Sequence, residues 1–442
     1  MSELPVVVVG AGPVGLAAAA ELVERGLEPL VLERGDAAGA AVAQWHHVRL
    51  FSQWSELVDP AAARLLLAAG WERPADAEYP TGEEWAARYL APLADALGER
   101  VRFGAEVVGV ARRGRDRVVD AGRDTEPLTV HVRSAAGEER ITAGAVIDAS
   151  GTWTGPNPLG GDGLPAAGET AATNHIAYQV PNLEDDAART RYAGRHVVIA
   201  GSGHSALTAL VAFADLAEQE PATRITWLLR RGAVGSTFGG GEADQLPARG
   251  ALGLRARAAV DAGRISVVTG FRTETVDRDG DTLTLVSDAG EKVSEVDEVV
   301  VLTGFRPDLS WLSELRLDLD ATLQAPVALA PLIDPNVHSC GTVYPHGVKE
   351  LAHPEPNVYL AGMKSYGRAP TFLAMTGYEQ VRSIAAALAG DHAAAERVEL
   401  VLPETGVCGG AGVFDEPAQA QGGGCCGPAE TETLILSAPA AR

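Results

Sequence analysis

The sequence predicts an α/β protein in which one three-layer, Rossmann-like domain is interrupted by a second, inserted Rossmann-like domain. Three observations predict this fold. A strand, a glycine-rich turn, a helix and a second strand follow one another from residue 5, and the same order begins again at residue 195. An apolar strand near residue 357 and the helical segment after it then indicate a return to the first sheet.

The first glycine-rich turn has the spacing of a dinucleotide-binding loop. Gly10 permits the tight turn, Gly12 lets the backbone approach a pyrophosphate, and Gly15 lets the helix pack against the sheet. Pro13 opens the helix, whose first N–H groups face the anion. The next strand ends at Glu33, which is placed to accept hydrogen bonds from a ribose.

The second turn, over residues 201–206, repeats this pattern with Ala206 in place of the third glycine. The strand after it ends at Arg230 and Arg231 rather than at an acid. Two guanidiniums there favour a 2'-phosphate and therefore NADPH over NADH, although both could simply be solvated at a strand end. The turn residues expected to contact this cofactor are Gly201, Gly203, His204 and Ser205.

Two dinucleotide sites in one chain imply hydride transfer from a nicotinamide cofactor to a flavin. The order along the chain and the contrast between Glu33 and the arginine pair place FAD at the first turn and NADPH at the second. A single-cofactor dehydrogenase needs only one such site. The sequence therefore predicts an enzyme that binds both cofactors.

The domain boundaries follow from composition. A stretch rich in Gly and Pro, 151–168, separates the two βαβ units. We predict an FAD-binding domain over 1–160 that resumes over 336–392, and an NAD(P)H-binding domain over 161–335. The Ala-, Gly- and Pro-rich segment 393–442 is predicted to be a flexible tail that contains cysteines.

Charge and hydropathy exclude several classes of partner. The formal net charge of -23 argues against nucleic acids and anionic membrane surfaces, which are bound through clusters of Lys and Arg. The first apolar run, Val6 to Val9, is far too short for a signal or membrane-spanning segment. We expect a cytoplasmic enzyme with a small-molecule substrate, and the sequence leaves the oligomeric state open.

Several runs resemble the flavin-containing monooxygenase-like branch of the two-dinucleotide-binding flavoproteins. These runs are 146–153 beside the predicted FAD site, 303–308 (Thr-Gly-Phe-Arg-Pro-Asp) and 358–362, and the resemblance covers roughly residues 5–390. It implies NADPH-dependent oxygenation of a soft heteroatom in a small molecule. The further FAD contacts that it implies are Arg34, Ser150, Gly151, Gly362 and Lys364, with Tyr366 and Arg368 as residues that could face the flavin.

A closer resemblance is to the flavin-dependent monooxygenase-like proteins encoded beside arsenic-resistance genes. It is carried by the runs 46–52 (His-His-Val-Arg-Leu-Phe-Ser), 338–341 (His-Ser-Cys-Gly) and 363–371, and by the paired cysteines near the end of the chain. This resemblance implies a trivalent arsenic compound or a sulfur compound as substrate.

The candidate catalytic residues are His47, Arg49 and Cys340. By the resemblance, the segment that contains His47 and Arg49 passes near the flavin, although both could be structural polar groups. The thiolate of Cys340 suits a thiophilic metalloid, and an inert buried cysteine is the alternative. The candidate metalloid ligands in the tail are Cys408, Cys425 and Cys426, with a dispensable tail as the alternative.

Two other functions stay open. The aromatic, glycine and histidine signature of flavin-containing monooxygenases is reduced here to His175 and Tyr178, which favours a flavin or metalloid oxidoreductase that inserts no oxygen. The tail cysteines instead favour a metalloid-binding or redox-sensing flavoprotein. No cysteine precedes Cys340, so a flavin-to-disulfide relay is not expected.

Overall fold

The computed structural model describes residues 4–244, 246–336, 346–370 and 372–400. Its first sheet is parallel and holds five strands. From one edge to the other, these strands are Val358–Leu360, Ala145–Asp148, Val6–Val9, Pro29–Leu32 and Val101–Arg102. Val358 pairs with Val146, so the chain returns to this sheet after the second domain is complete, as the sequence predicted.

The second sheet is also parallel and five-stranded. Its strands, in spatial order, are Ser266–Thr269, Arg224–Leu229, His196–Ala200, Glu298–Val301 and Ile176–Ala177. The strand His196–Ala200 lies at the centre and is buried along its whole length. Near-continuous apolar runs are expected of parallel strands, because helices or other layers cover both faces.

Two small antiparallel sheets accompany the parallel ones. The three strands of one are Glu106–Arg112, Leu128–Ser134 and Gly137–Ala143. The three strands of the other are Thr273–Asp279, Thr282–Ser287 and Lys292–Val296. In the first of these sheets, buried and less buried residues alternate along the strand Leu128–Ser134, as is typical of an antiparallel sheet with one covered face.

Each domain has a core helix that begins at its glycine-rich turn. Pro13–Glu24 packs against Ala374–Leu388 in the first domain, and His204–Gln219 packs against Pro247–Asp261 in the second. Ala17 to Ala20 are buried, and such small side chains let a helix approach a sheet closely. The longer of the other helices are Pro60–Ala68, Ala91–Leu97 and Asp186–Tyr192.

The remaining helical segments are short. The α-helical turns are Ala40–Ala43, Trp54–Leu57, Gly82–Trp85, Ala330–Ile333 and Val348–Leu351, and Ala86–Leu90 is a π-helical turn. The 3-10 turns are Gly98–Arg100, Thr170–His175, Gly235–Phe238, Gly241–Ala243, Ser310–Leu312 and Gly362–Tyr366. Within the described ranges, no helix is long and apolar enough to cross a membrane.

The two segments that connect the domains are hydrogen-bonded to each other. The Asn157 N–H donates to the Gly304 carbonyl at 2.8 Å, and the Arg306 N–H donates to the Gly155 carbonyl at 2.7 Å. Pro156 and Phe305 thus face each other in an antiparallel bridge. The outward and the returning chain therefore form one double-stranded connection between the domains.

The segment predicted as a flexible tail begins with a helix instead. His392–Glu396 is capped by the Asp391 side chain, which accepts a hydrogen bond from the Ala394 N–H at 3.0 Å. Arg382 donates to the Ala394 carbonyl at 2.8 Å and fixes this turn on the helix before it. The local signals for this helix are an Asx cap and a run of alanines, and the contact with the helix before it adds to its stability. The cysteines Cys408, Cys425 and Cys426 lie outside the described residues.

Candidate functional site

A single cleft of about 2260 Å³ runs between the two domains. The first turn lines it with Gly10, Gly12 and Pro13, together with Ser150 and Gly151 from the end of the neighbouring strand. The second turn lines the same cleft with Gly201, Gly203, His204 and Ser205. Both predicted dinucleotide turns therefore open onto one continuous space.

The three glycines of the first turn differ in what surrounds them. Gly10 has a φ of +100°, and a Cβ there would lie 2.9 Å from the Ala149 carbonyl oxygen. A Cβ on Gly15 would lie 1.9 Å from the Gly10 oxygen. A Cβ on Gly12 would meet no described atom within 4 Å, because it would point into the cleft. The first and third glycines thus serve the turn itself, and Gly12 leaves room for a close approach of a phosphate.

Glu33 connects the turn to the strand that follows it. One carboxylate oxygen accepts a hydrogen bond from the Ala11 N–H at 2.7 Å, and the other accepts one from the Gly35 N–H at 2.7 Å. Each oxygen retains lone pairs that can accept from ribose hydroxyls. Glu33 and Arg34 both line the cleft, as the sequence-based assignment requires.

The second turn repeats the arrangement of the first. Gly201 has a φ of +133°, and a Cβ there would lie 2.2 Å from the Leu302 carbonyl oxygen. A Cβ on Gly203 would again meet no described atom within 4 Å. The buried Ala206 occupies the position of the third glycine. Both turns consequently fit the same ligand group, a dinucleotide pyrophosphate.

His204 is the first residue of the helix His204–Gln219 and is exposed to the cleft. Its ring lies 5.2 Å, centroid to centroid, from the ring of Phe51 in the first domain. The surrounding protein atoms, and next the charge of Arg249, lower the pKa of His204 to about 4. The imidazole is therefore neutral near pH 7.

The two arginines predicted to select NADPH both line the cleft. Arg230 follows the strand Arg224–Leu229, is exposed, and donates to the Gly161 carbonyl at 3.2 Å. Arg231 is half-buried and lines the cleft beside it. Two guanidiniums beyond the end of this strand are suitably charged for a 2'-phosphate.

Lys364 lines the cleft but is almost fully buried, with 1% of its surface exposed. Its Nζ lies 3.2 Å from Asp148 Oδ2 and 3.0 Å from Ser150 Oγ, and it stands 5.3 Å from the centre of the Trp311 ring. Lys364 thus ties the turn Gly362–Tyr366 to the strand end that carries Ser150. Sequence reasoning missed Asp148, although an acid that ends a buried apolar strand is an uncommon signal.

His47 and Arg49, the two catalytic candidates among the described residues, have different surroundings. Both ring nitrogens of His47 are buried in the wall of the cleft, where the ring faces the backbone of Val180 and Pro181. Burial, and next the neighbouring His46, lowers the pKa of His47, so its ring is neutral at pH 7. Arg49 is exposed, donates to the Tyr79 carbonyl and lies 3.8 Å from Glu84. His47 is therefore a neutral ring in the wall of the cleft, whereas Arg49 is paired at the surface.

The other candidates are less directly placed. Cys340 lies outside the described residues. Tyr366, which was predicted to face the flavin, does not line the cleft, because its buried ring packs edge-on against Phe372 at 4.9 Å. His346 is buried and 2.8 Å from Gln380. Within the described part of the chain, no group of three or more His, Cys, Asp or Glu could hold a metal ion.

The remnant of the monooxygenase signature has structural partners. His175 Nδ1 lies 2.9 Å from the Asp297 carbonyl oxygen. The Tyr178 hydroxyl donates to Glu169 at 2.6 Å, and burial together with this carboxylate raises the pKa of the tyrosine. Both side chains therefore support the fold of the second domain.

A bridge of side chains that sequence reasoning missed spans the cleft. Gln44 Oε1 accepts a hydrogen bond from Trp153 Nε1 at 2.8 Å and another from Gln179 Nε2 at 3.1 Å. The Trp153 ring stacks on Phe305 with centroids 4.9 Å apart. Gln44, Trp153 and Gln179 lie far apart in sequence. No motif connects the three positions, so only the folded structure reveals the bridge.

Comparisons with known proteins place this geometry among enzymes. A family model described as pyridine nucleotide-disulphide oxidoreductase matches residues 7–328. A ferredoxin--NADP reductase from Ignicoccus hospitalis is 27% identical over 317 residues, which are 71% of this chain and 81% of the relative. An indole-3-pyruvate monooxygenase, YUCCA1, from Oryza sativa subsp. japonica is 30% identical over 203 residues, 46% of this chain and 43% of the relative.

Among solved structures, the bacillithiol disulfide reductase Bdr (YpdA) from Bacillus cereus superposes with a TM-score of 0.64. It is 21% identical, and the match covers 88% of this chain and 99% of that chain. These three proteins are named after three different reactions. The shared fold accordingly identifies the cofactor architecture and leaves the reaction to the residues of the cleft.

Proposed function

The chain belongs to the pyridine nucleotide-disulphide oxidoreductase family, and from this premise we propose that it is an NADPH-dependent FAD monooxygenase that oxygenates a soft heteroatom of a small molecule. One observation carries the proposal: two separate dinucleotide turns open onto one cleft. Bound FAD would supply the redox chemistry, with NADPH as the source of hydride. The residues of the chain supply binding, orientation and proton transfer.

The first turn would hold FAD. The space beside Gly12 would admit its pyrophosphate, and the N–H groups at the start of the helix Pro13–Glu24 would bind it. Glu33 would accept hydrogen bonds from its ribose. Gly203 and the arginine pair Arg230 and Arg231 would bind NADPH in the same manner from the other side of the cleft.

His47 is the residue we assign to proton transfer. A neutral imidazole offers one donor and one acceptor, and the His47 ring lines the cleft. Oxygenation of a heteroatom requires a proton to be held and released near the substrate. Substitution His47→Gln should lower kcat by about a hundredfold, the low end for general acid–base catalysis, without loss of FAD.

The neighbouring His46 is the matched control for this substitution. It is exposed, and its Nδ1 lies 4.0 Å from Glu83 at the surface. His46→Gln removes the same kind of ring one residue away, and we expect it to keep the wild-type kcat. Equal rates for wild type and His47→Gln would refute the assigned role.

The position of the cysteines supports oxygenation over disulfide reduction. No cysteine precedes Cys340, so no redox-active pair is present in the chain up to that point. A reductase that relays electrons through its own thiol pair needs such a pair beside the flavin. Transfer of electrons to oxygen and substrate requires no protein thiol.

As to the substrate, we propose a small sulfur compound or a trivalent arsenic compound, with a role in arsenic detoxification. The support is the resemblance carried by the runs 46–52 and 363–371 and by the pair Cys425 and Cys426. The first of these runs contributes His47, Phe51 and Ser52 to the wall of the cleft. A soft heteroatom at that wall would lie beside the His47 ring.

The test follows the absorbance of the purified protein and oxygen consumption while NADPH is added. A monooxygenase should contain FAD, lose its yellow absorbance with NADPH, and consume oxygen in step with an oxygenated product when arsenite or a small thiol is supplied. A protein that cannot be loaded with FAD would refute the proposal. The same assay with NADH measures the preference that the two arginines imply.

A second candidate is an oxidoreductase that inserts no oxygen. It is favoured by the finding that His175 and Tyr178, the remnant of the monooxygenase signature, have structural partners. Anaerobic turnover with an artificial electron acceptor discriminates between the candidates. Substrate conversion at an unchanged rate without oxygen would support this reductase and exclude the monooxygenase.

A further inference from the structure

The basic residues of the cleft fall into three groups. The first group is neutralised by carboxylates: Arg49, Arg133, Arg249, Arg255 and Lys364 each form an ion pair. The second group, Arg34, Arg230 and Arg231, stands at the strand ends beside the two dinucleotide turns. The third group is Arg306 and Arg368, which belong to neither arrangement.

Within the described residues, the hydrogen bonds of the Arg306 side chain go to uncharged groups. It lies on the returning strand of the double connection between the domains, and its Nε donates to Asn157 Oδ1 at 2.5 Å. Its Nη2 donates to the Gly163 carbonyl. These bonds fix the guanidinium on the cleft wall without cancelling its charge.

Arg368 approaches from the first domain. It follows the turn Gly362–Tyr366, is exposed to the cleft, and donates from Nε to Gln324 Oε1 at 2.9 Å. The terminal nitrogens of this guanidinium have no carboxylate partner in the described part of the chain. Met363 and Phe372 line the cleft on the same stretch of chain and make this part of the wall apolar.

Arg306 and Arg368 line the same cleft, one from each domain. Burial, and next the positive charge of Arg368, lowers the pKa of Arg306. The chain carries a net charge of -23, with 59 acidic residues for 36 basic ones. Despite this excess of acidic residues, neither Arg306 nor Arg368 forms an ion pair with a carboxylate in the described part of the chain. A bound anion would offset the repulsion between the two guanidiniums.

We propose that Arg306 and Arg368 form a subsite for an anionic group, a carboxylate or an oxyanion, on the substrate. The inference rests on the proposed function, since it assigns a substrate class to the same cleft. Arg306 belongs to the second domain's returning strand, and Arg368 belongs to the first domain. The anion would be bound between the domains, with the rest of the substrate against the apolar wall. The phosphates of the two dinucleotides have their own turns, helix N-termini and arginines elsewhere in the cleft.

The experiment titrates the purified holoenzyme with benzoate and, in parallel, with benzamide, which has the same shape and no charge. Flavin absorbance reports binding, and so does tryptophan fluorescence, because Trp153 and Trp311 line the cleft. Benzoate should bind at least about tenfold more tightly than benzamide, the fold-change expected when a charged hydrogen bond is gained. Equal affinities would overturn the proposal.

Variants then assign the binding to the two residues. Arg368→Gln and Arg306→Gln should each weaken benzoate binding about tenfold to a hundredfold and leave benzamide binding unchanged. Arg368→Lys should restore a large part of the benzoate affinity, because it keeps the charge. Arg64→Gln, which removes a surface arginine paired with Glu24, controls for net charge and should bind benzoate as the wild type does.

The outcomes separate this inference from the proposed function. If FAD content and the KM for NADPH change in Arg368→Gln while benzoate affinity does not, the arginine binds a cofactor phosphate and the subsite is refuted. If NADPH fails to reduce the flavin but benzoate binding follows the predictions, the proposed function fails and the anion subsite stands. Arg368 makes one described side-chain bond, to Gln324, so the folded state should tolerate its substitution.

Discussion

The pair of substitutions Gly12→Ala and Gly203→Ala tests the assignment of the two turns. Gly12 has φ -81° and ψ -176°, and Gly203 has φ -88° and ψ -179°. An alanine adopts both conformations without strain. At neither position would the new Cβ meet a described atom within 4 Å. The folded protein should therefore tolerate both changes, with a free energy of unfolding within about 1 kcal/mol of the wild type.

Cofactor binding should respond very differently. In each variant the methyl group stands where the pyrophosphate must approach the backbone, so at least one hydrogen bond from an N–H to a phosphate is lost. A hydrogen bond to a charged group contributes about 1.5–3 kcal/mol, which corresponds to a loss of affinity of roughly tenfold to more than a hundredfold. Gly12→Ala should lose FAD, and Gly203→Ala should keep FAD and raise the KM for NADPH.

The assays are the ratio of flavin to protein absorbance after dialysis, the KM for NADPH, and unfolding followed by circular dichroism. Gly15→Ala is the control for a glycine that serves the fold, because its Cβ would lie 1.9 Å from the Gly10 oxygen. That variant should be clearly destabilised before any cofactor is added. A Gly12→Ala protein that retains FAD at wild-type affinity, or a Gly203→Ala protein that loses FAD instead, would refute the reasoning.

Three further predictions concern charge. Burial, and next the charge of Glu21, raises the pKa of Asp59 to about 8. The ionised carboxylate of Asp59 therefore destabilises the folded protein progressively as the pH rises from about 4 to about 8. The variant Asp59→Asn should unfold at a higher denaturant concentration than the wild type at about pH 9, and at the same concentration at about pH 4. The substitution Glu355→Ala removes the carboxylate that pairs with the buried Arg112 and Arg123. It should lower the free energy of unfolding by about 3–5 kcal/mol in a urea titration. A loss below about 1 kcal/mol would contradict this prediction. Alanine at both Arg230 and Arg231 should raise the KM for NADPH at least about tenfold and leave that for NADH unchanged in steady-state assays; equal effects on both cofactors would argue against a 2'-phosphate site.

Much of the fold was predictable because its signals are local. A tight turn beside a parallel strand requires a positive φ, and Gly10 and Gly201 both have one. The buried strands are continuous apolar runs, and the helix that starts at Pro13 is rich in alanine. Glu33 could be found by its distance from the turn alone. Such features depend on a few neighbouring residues, so the sequence carries them directly.

The contacts across the cleft could not be predicted in the same way. Gln44 bonds Trp153 and Gln179, which are 109 and 135 residues away along the chain. The ion pair between Lys364 and Asp148 likewise joins distant segments. No periodicity or motif links such residues, because their proximity results from the packing of the domains. The helix His392–Glu396 shows the same limit, since its stability depends on Arg382 and the helix it docks on.

The reaction depends on the second kind of residue more than on the first. The glycines of the two turns, together with Glu33 and the pair Arg230 and Arg231, are placed to hold groups that every member of this architecture must bind, so they specify cofactors and not a substrate. His47, Arg306 and Arg368 come from segments without a dinucleotide motif and lie on the cleft wall between the turns. An imidazole buried in the cleft wall costs free energy of desolvation, and two arginines without a carboxylate partner among the described residues cost free energy of repulsion. A ligand with a proton to exchange and a negative charge would compensate both costs at once, which is why we look for the specificity of this enzyme at those three side chains.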